Sequence, residues 1–139
     1  MTPFDAPHAE LAWMFLQCVS EGGDVDEGFT LLSDDFTYWS LYTRLALDKE
    51  NFRRAVEQRL RVVQIEVELL RCINEGDTVV VEAMAETSAS PEGKRYHSPF
   101  IVVFETRDGL IVSMREYSDT KSAAELFPGW RAPAPMEEP

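Results

Sequence analysis

The sequence predicts an α+β domain in which about three N-terminal helices pack against a curved antiparallel sheet, and three observations carry that expectation. Apolar residues recur at helical spacing through roughly the first sixty positions. From Val62 onward the period changes to two. Turn signals at Asn74-Glu75-Gly76-Asp77, Ser90-Pro91-Glu92-Gly93 and Arg107-Asp108-Gly109 then cut the second half into four segments. Helices first and sheet afterwards is the α+β order, with one layer of helices covering one sheet face. A chain of 139 residues holds one hydrophobic core. A single domain is expected over 1–127, followed by an irregular tail over 128–139.

In the first helix, Leu11, Met14, Phe15, Cys18 and Val19 fall at i, i+3, i+4, i+7 and i+8, the spacing of one buried face. Pro7 suits its first turn, and Gly22-Gly23 ends it where a positive φ is wanted. Asp24 and Glu27 form a capping box for a second helix, with Val25, Phe29 and Leu32 at helical spacing. Phe36 to Ser40 is short, aromatic and β-prone. A third helix starts at Asp48 and runs through Phe52, Ala55, Val56 and Leu60. Four long strands in a meander follow, then a short C-terminal helix. The last twelve residues, PGWRAPAPMEEP, hold four of the chain's eight prolines and read as irregular.

Charge and composition exclude several classes of partner. Lys and Arg number 13 against 25 Asp and Glu, a formal charge of −12, so a nucleic-acid backbone or an anionic membrane surface would be repelled. No apolar run reaches the ~18 residues a spanning helix needs. The opening MTPFDAPHAE carries acids where a secretory leader would carry Lys or Arg, so a cytoplasmic location is expected. The two cysteines, Cys18 and Cys72, lack a Cys-x-x-Cys spacing or a neighbouring His, so they read as reduced apolar residues and no metal is expected. There is no glycine-rich phosphate loop and no nucleophile elbow.

Chemistry is expected on the strands. Alternation splits GLIVSMREYSDT into a row of Val112, Met114, Glu116 and Ser118 and a row of Ile111, Ser113, Arg115, Tyr117 and Asp119. A carboxylate that continues an apolar row sits where desolvation raises its pKa toward the range useful for proton transfer. Glu116 is therefore the first catalytic candidate; the plainer alternatives are a solvated strand end or pairing with an Arg on a neighbouring strand. In YHSPFIVVFET, Ser98 and Phe100 begin one face and His97, Pro99, Ile101, Val103 and Glu105 form the other. Both faces are largely apolar, which predicts that a second copy covers the outer one and the chain is a homodimer.

The row Val79, Val81, Ala83, Ala85 and Thr87 is small enough to leave a space, while Glu82 and Glu86 point away. Tyr38 and Ser40 share a face, so their hydroxyls can hold a water or a substrate oxygen; alternatively Tyr38 is a core tyrosine with its hydroxyl at the rim. His97 is the one histidine in the sheet region and reads as an acid, a base or neither, since it lies off the Ser98 and Phe100 face.

The stretches LLSDDFTYWS, PEGKRYHSPFIVVF and RDGLIVSMREYSDT resemble the superfamily that contains nuclear transport factor 2, ketosteroid isomerase, the SnoaL-like polyketide cyclases and limonene-epoxide hydrolase. The likeness runs from about Leu11 to Phe127, with the last stretch typical of the SnoaL-like and epoxide-hydrolase branches. It implies a cone with a deep pocket between sheet and helices, a homodimer, and action on small apolar molecules without metal or organic cofactor. In the epoxide hydrolases a Tyr, an Asn and an Asp hold the nucleophilic water. By resemblance Tyr38 matches the Tyr, Ser40 falls at the Asn and Glu116 at the water-activating Asp. That family's Arg and proton-donating Asp fall on Ala83 and Ala85, so the electrophilic half of such a site is missing. Against ketosteroid isomerase, Ser40 stands at the catalytic Asp and Leu16 or Phe15 at the helix-one Tyr. The SnoaL-like cyclases keep an acid on the final strand, at Glu116.

The expected function is a cofactor-independent isomerase, cyclase, hydratase or lyase that uses acid/base chemistry on a small hydrophobic, oxygenated molecule. Glu116 would move the proton, with Tyr38 and His97 as further catalytic candidates. Ser40, Ala83, Ala85, Ser98, Phe100, Val112 and Met114 would contact the ligand. The alternatives are non-catalytic binding or sensing of an apolar ligand, an epoxide hydrolase with an altered site, and a structural dimer whose pocket is filled by Phe127 or Trp130.

Overall fold

The computed structural model describes residues 7–89 and 94–126. Along them run α1 (Pro7–Cys18), α2 (Val25–Thr30), β1 (Leu32–Ser40), β2 (Ala46–Asp48), α3 (Lys49–Val62), β3 (Val63–Glu75), β4 (Thr78–Ala89), β5 (Lys94–Arg107), β6 (Leu110–Tyr117) and α4 (Thr120–Leu126). The change of period near Val62 is a physical junction, because α3 passes into β3 with no loop between them. The fold is α+β as expected. The tail over 128–139, with Trp130, and Phe127 before it, lie outside the described residues.

The strands form one curved six-stranded sheet in the order β2-β1-β6-β5-β4-β3. β3 to β6 are the expected antiparallel meander. Its turns follow from their residues. Asp108 and Gly109 form a two-residue loop with φ of 53° and 79°, a pair of positive values whose twist matches that of the flanking strands. Gly76, at φ 58°, takes the first position of the β3–β4 turn. The one departure from an all-antiparallel sheet is the pairing of β1 with β6, which is parallel. It brings residues more than seventy positions apart side by side, and no local pattern encodes it.

One face of the sheet carries the helices. Phe15 of α1, Phe29 of α2, Phe36 of β1, Phe52 of α3 and Phe104 of β5 meet there, all buried, with neighbouring rings 5.4 to 6.4 Å apart. Aromatic pairs in this range add ~0.5–1.5 kcal/mol each beyond the area they remove from water. Phe52 also stacks on Tyr38, with centroids 4.3 Å apart and ring planes 16° from parallel. α3 is thereby held over β1, and its N-terminus is set by Asp48, whose Oδ1 accepts the Asn51 N–H at 2.8 Å.

Three expectations need correction. Phe15 and Cys18 are buried as expected, with Val19 just past the helix, but the α1 stripe also takes in Ala9, Ala12 and Leu16, and Met14 is 40% exposed. The small alanines let the helix lie close to the sheet, which rotates Met14 outward. The second helix ends at Thr30, and Leu32 already belongs to β1. Finally, the register of β6 slips against both neighbours near Val112: Ile111 pairs with Leu32 and Thr106, whereas Ser113 pairs with Thr37 and Glu105. The bulge turns Ile111, fully buried, toward the core before Met114 and Glu116 resume the inward row.

Candidate functional site

The parallel β1–β6 pair builds the polar heart of the site. Its register sets Tyr38 beside Met114 and Ser40 beside Glu116, so two hydroxyls and one carboxyl point to the same side of adjacent strands. Above them the sheet and the helices form a half-open cavity of about 190 Å³. Leu16, Val19, Phe52, Val56, Ile65 and Val67 give it an apolar wall. Tyr38, Ser40, Glu116 and Arg59 supply polar groups, and Asp119 and Ser122 belong to the same lining at the end of β6 and the start of α4. Asp119 is tied to that helix, since it accepts from the Lys121 N–H and the Ser122 hydroxyl.

Burial governs the electrostatics. Glu116 is half-buried in the cavity wall, and desolvation there pushes its carboxyl above the ordinary value of 4.5. The Arg59 guanidinium and a hydrogen bond from Tyr38 pull in the other direction without cancelling it. Burial and the adjacent Glu116 carboxylate hold the Tyr38 phenol far above its ordinary value of 10.0. Tyr38 thus remains a neutral O–H donor while Glu116 is the group that titrates. Ser40 hydrogen-bonds to Tyr38, and its Oγ also accepts the Tyr42 N–H at 3.2 Å. Ser40, Tyr38 and Glu116 thus act on one another electrostatically, with Glu116 the member whose charge changes.

Arg59 stands apart from these three. It projects from α3, and its Nη2 donates to the Val19 carbonyl at 2.7 Å. Its Nε is buried without a protein partner among the described residues. The guanidinium acts on Glu116 through the low-polarity space between them, but no ion pair of 4.0 Å or less joins the two.

Of the residues singled out from the sequence, Tyr38, Ser40, Ala85, Ser98, Phe100, Met114 and Glu116 line the cavity. Ala83 does not: it is fully buried in the core. Val112 is displaced by the bulge, and Ile111 takes the inward place. His97 is exposed and pairs across the sheet with Glu86, one position off the cavity-facing Ser98. Nor does Glu116 meet an Arg on a neighbouring strand, since its partners there are Ser40 and Val102. Sequence reasoning missed Arg59. Its signal was present, because it falls at i+7 from Phe52 and i+3 from Val56 on the inward face of α3.

A helix-lined, cupped sheet with an acid at the base of an apolar pocket is the architecture of the cone-shaped superfamily that the sequence resembled. Within it, residues 14–114 match the family model of the SnoaL-like domain, and the chain belongs to that family. Comparison with curated protein sequences finds no match. Among solved structures, a SnoaL-like protein proposed as a polyketide cyclase from Jannaschia sp. CCS1 superposes with a TM-score of 0.78 at 17% identity, over 94% of this chain and 98% of that one. A protein of ketosteroid-isomerase-like fold from Catenulispora acidiphila gives 0.75 at 19% identity, over 95% and 97%. An epoxide hydrolase of the limonene-epoxide-hydrolase type from M. tuberculosis gives 0.68 at 21% identity, over 86% and 88%. At these identities the likeness is one of fold.

Proposed function

We propose that this chain is a cofactor-independent enzyme of isomerase, cyclase, hydratase or lyase type, acting by proton transfer on a small hydrophobic, oxygenated molecule in the cavity. The observation that supports it is Glu116: a carboxyl in an apolar pocket, pushed above its ordinary acidity range by burial and hydrogen-bonded by a tyrosine that stays neutral. Such a group takes a proton from a carbon next to a carbonyl and returns it elsewhere on the same molecule. Tyr38 and Ser40 orient the oxygen, while Phe100, Met114, Ala85 and Ser98 shape the wall. A cytoplasmic homodimer is part of the same proposal.

Deuterium exchange tests the reading without a known substrate. Small cyclic ketones are incubated with the protein in D₂O and their α-hydrogens followed by NMR. Exchange by the wild type is expected to exceed that of Glu116→Gln by about 100-fold or more. Equal rates in the two proteins would remove Glu116 from catalysis.

A second reading, non-catalytic binding of an apolar ligand, draws on Ala83 and Ala85, which the resemblance puts where epoxide hydrolases carry an Arg and an Asp. An altered epoxide hydrolase would work without that proton donor, forgoing a factor of about 100 to 10,000. Ketone probes that bind wild type and Glu116→Gln alike and exchange in neither would favour the binding protein.

A further inference from the structure

Arg59 is a cation that the proposed proton chemistry leaves unused. Among the described residues that line the cavity it is the only Lys, Arg or His. It carries a charge into an apolar wall of a chain whose formal charge is −12, so a surface role as one more solubilising charge does not account for it. Its guanidinium has a fixed anchor in the Val19 carbonyl and, among the described residues, a buried Nε with no protein partner and no carboxylate within 4.0 Å. Arg59 is half-buried and its Nε is sealed off, so a ligand oxygen would meet the guanidinium on the side that lines the cavity, where pairing lowers the cost of bringing a charge into an apolar wall. The backbone anchor matters because it orients the planar group beforehand, which is how arginine binds carboxylates with geometric selectivity.

The distribution of polar groups separates two ends of the site. Tyr38, Ser40 and Glu116 come from β1 and β6, whereas Arg59 comes from α3 on the helical side, and the cavity lies between them. Its volume of about 190 Å³ is close to the ~150 Å³ known to admit a benzene ring, so a ligand with one ring and a few substituents fills it.

We infer that Arg59 is a ligand-binding residue, and that the cavity takes a small one-ring carboxylate whose anionic oxygens complete the guanidinium's hydrogen bonding while the ring occupies the apolar space before Glu116. This deepens the proposed function by naming the substrate class and rests on the same cavity. It makes Arg59 a specificity residue, since an uncharged ligand of equal size would leave the guanidinium unpaired. The titratable groups that line the cavity around an anion in this position are Arg59 from α3, Tyr38 from β1, Tyr42 just after it and Glu116 from β6, with Asp119 farther along. Glu116 repels such an anion only in its ionised form, so binding the carboxylate favours the protonated acid and takes up a proton.

Benzoate, benzamide and benzyl alcohol serve as isosteric probes, titrated calorimetrically into the full chain. Benzoate is expected to bind about 10- to 100-fold tighter than either neutral probe, the margin typical of a charge-assisted hydrogen bond. Arg59→Met should erase the preference, Arg59→Lys should keep part of it, and Glu116→Gln, which removes the repelling carboxylate, should strengthen benzoate binding. If Arg59→Met does not fold, a wild-type measurement still decides. Repeating the benzoate titration in buffers of different ionisation enthalpy should show proton uptake that Glu116→Gln lacks. Neutral probes that match or exceed benzoate in the wild type would overturn the inference. Selective benzoate binding with no deuterium exchange would uphold it and count against the enzyme; exchange on neutral ketones without benzoate selectivity would do the reverse.

Discussion

At the scale of single residues, Glu116 makes a prediction about stability that is independent of any substrate. Its carboxyl is less acidic folded than unfolded. Between the ordinary value near 4.5 and the raised folded value, the folded state therefore holds more protons than the unfolded chain. Stability falls as pH rises through that window, and the loss is complete above it. Glutamine has no proton to lose. The stability of Glu116→Gln relative to the wild type should rise with pH across the window and then level off, as read from urea midpoints at a series of pH values. A difference that stays flat from pH 4 to 9 would mean that Glu116 ionises as freely in the fold as in water. The prominence of this residue was legible, since an acid interrupting an apolar row is visible by alternation alone. Arg59 was not, because arginine on a helix is ordinarily solvated and its long stem lets it leave an apolar face. Only the placement of α3 across the sheet shows that its side chain lies in the cavity wall.

At the scale of elements, what the sequence conceals is where regular periods break. The strand boundaries after Val62 followed from Gly76 and Asp108-Gly109, whose backbone requirements are local. The bulge near Val112 depends instead on how β6 pairs with two partners at once, so an uninterrupted run of alternating residues hid it and put Val112 in place of Ile111. Packing between short helices is similarly hidden and yields a test. Gly28 lies inside α2, where helix propensity alone predicts that alanine stabilises by ~1 kcal/mol. A Cβ there would sit 2.7 Å from the Cβ of Cys18 in α1, and that atom, fixed to the backbone, cannot swing away. Overpacking of this kind costs ~1–3 kcal/mol. Steric cost outweighs propensity, and Gly28→Ala should lower the unfolding free energy by about 1–2 kcal/mol in a urea titration. A stabilised variant would show that α1 and α2 are not packed this closely.

At the scale of the whole molecule, the outer face of the sheet argues for a second copy of the chain. Residues paired across it form an apolar band: Ile73 beside Val80, Val80 beside Val103, and Met84 beside Pro99. Ile73 is 50% exposed and Ile101 40% exposed. Charged residues interrupt this band, with Glu82 paired to Ile101 inside it and Arg115 paired to Val103 at its side. At a formal charge of −12 per chain, two copies repel at long range, so association through this face would have to come from apolar burial. Two outcomes follow if this face closes a homodimer. Sedimentation should give twice the chain mass, and added salt should tighten the association by screening the repulsion. Ile101→Glu places a further carboxylate beside Glu82 in the middle of the band and should yield a folded monomer, with far-ultraviolet dichroism unchanged because the side chain points away from the core. The cavity lies on the opposite face of the sheet, so the monomeric variant should still bind the ring-sized probes. A variant that remains dimeric would move the interface elsewhere, and one that loses probe binding with its partner would show that the second subunit helps to shape the pocket.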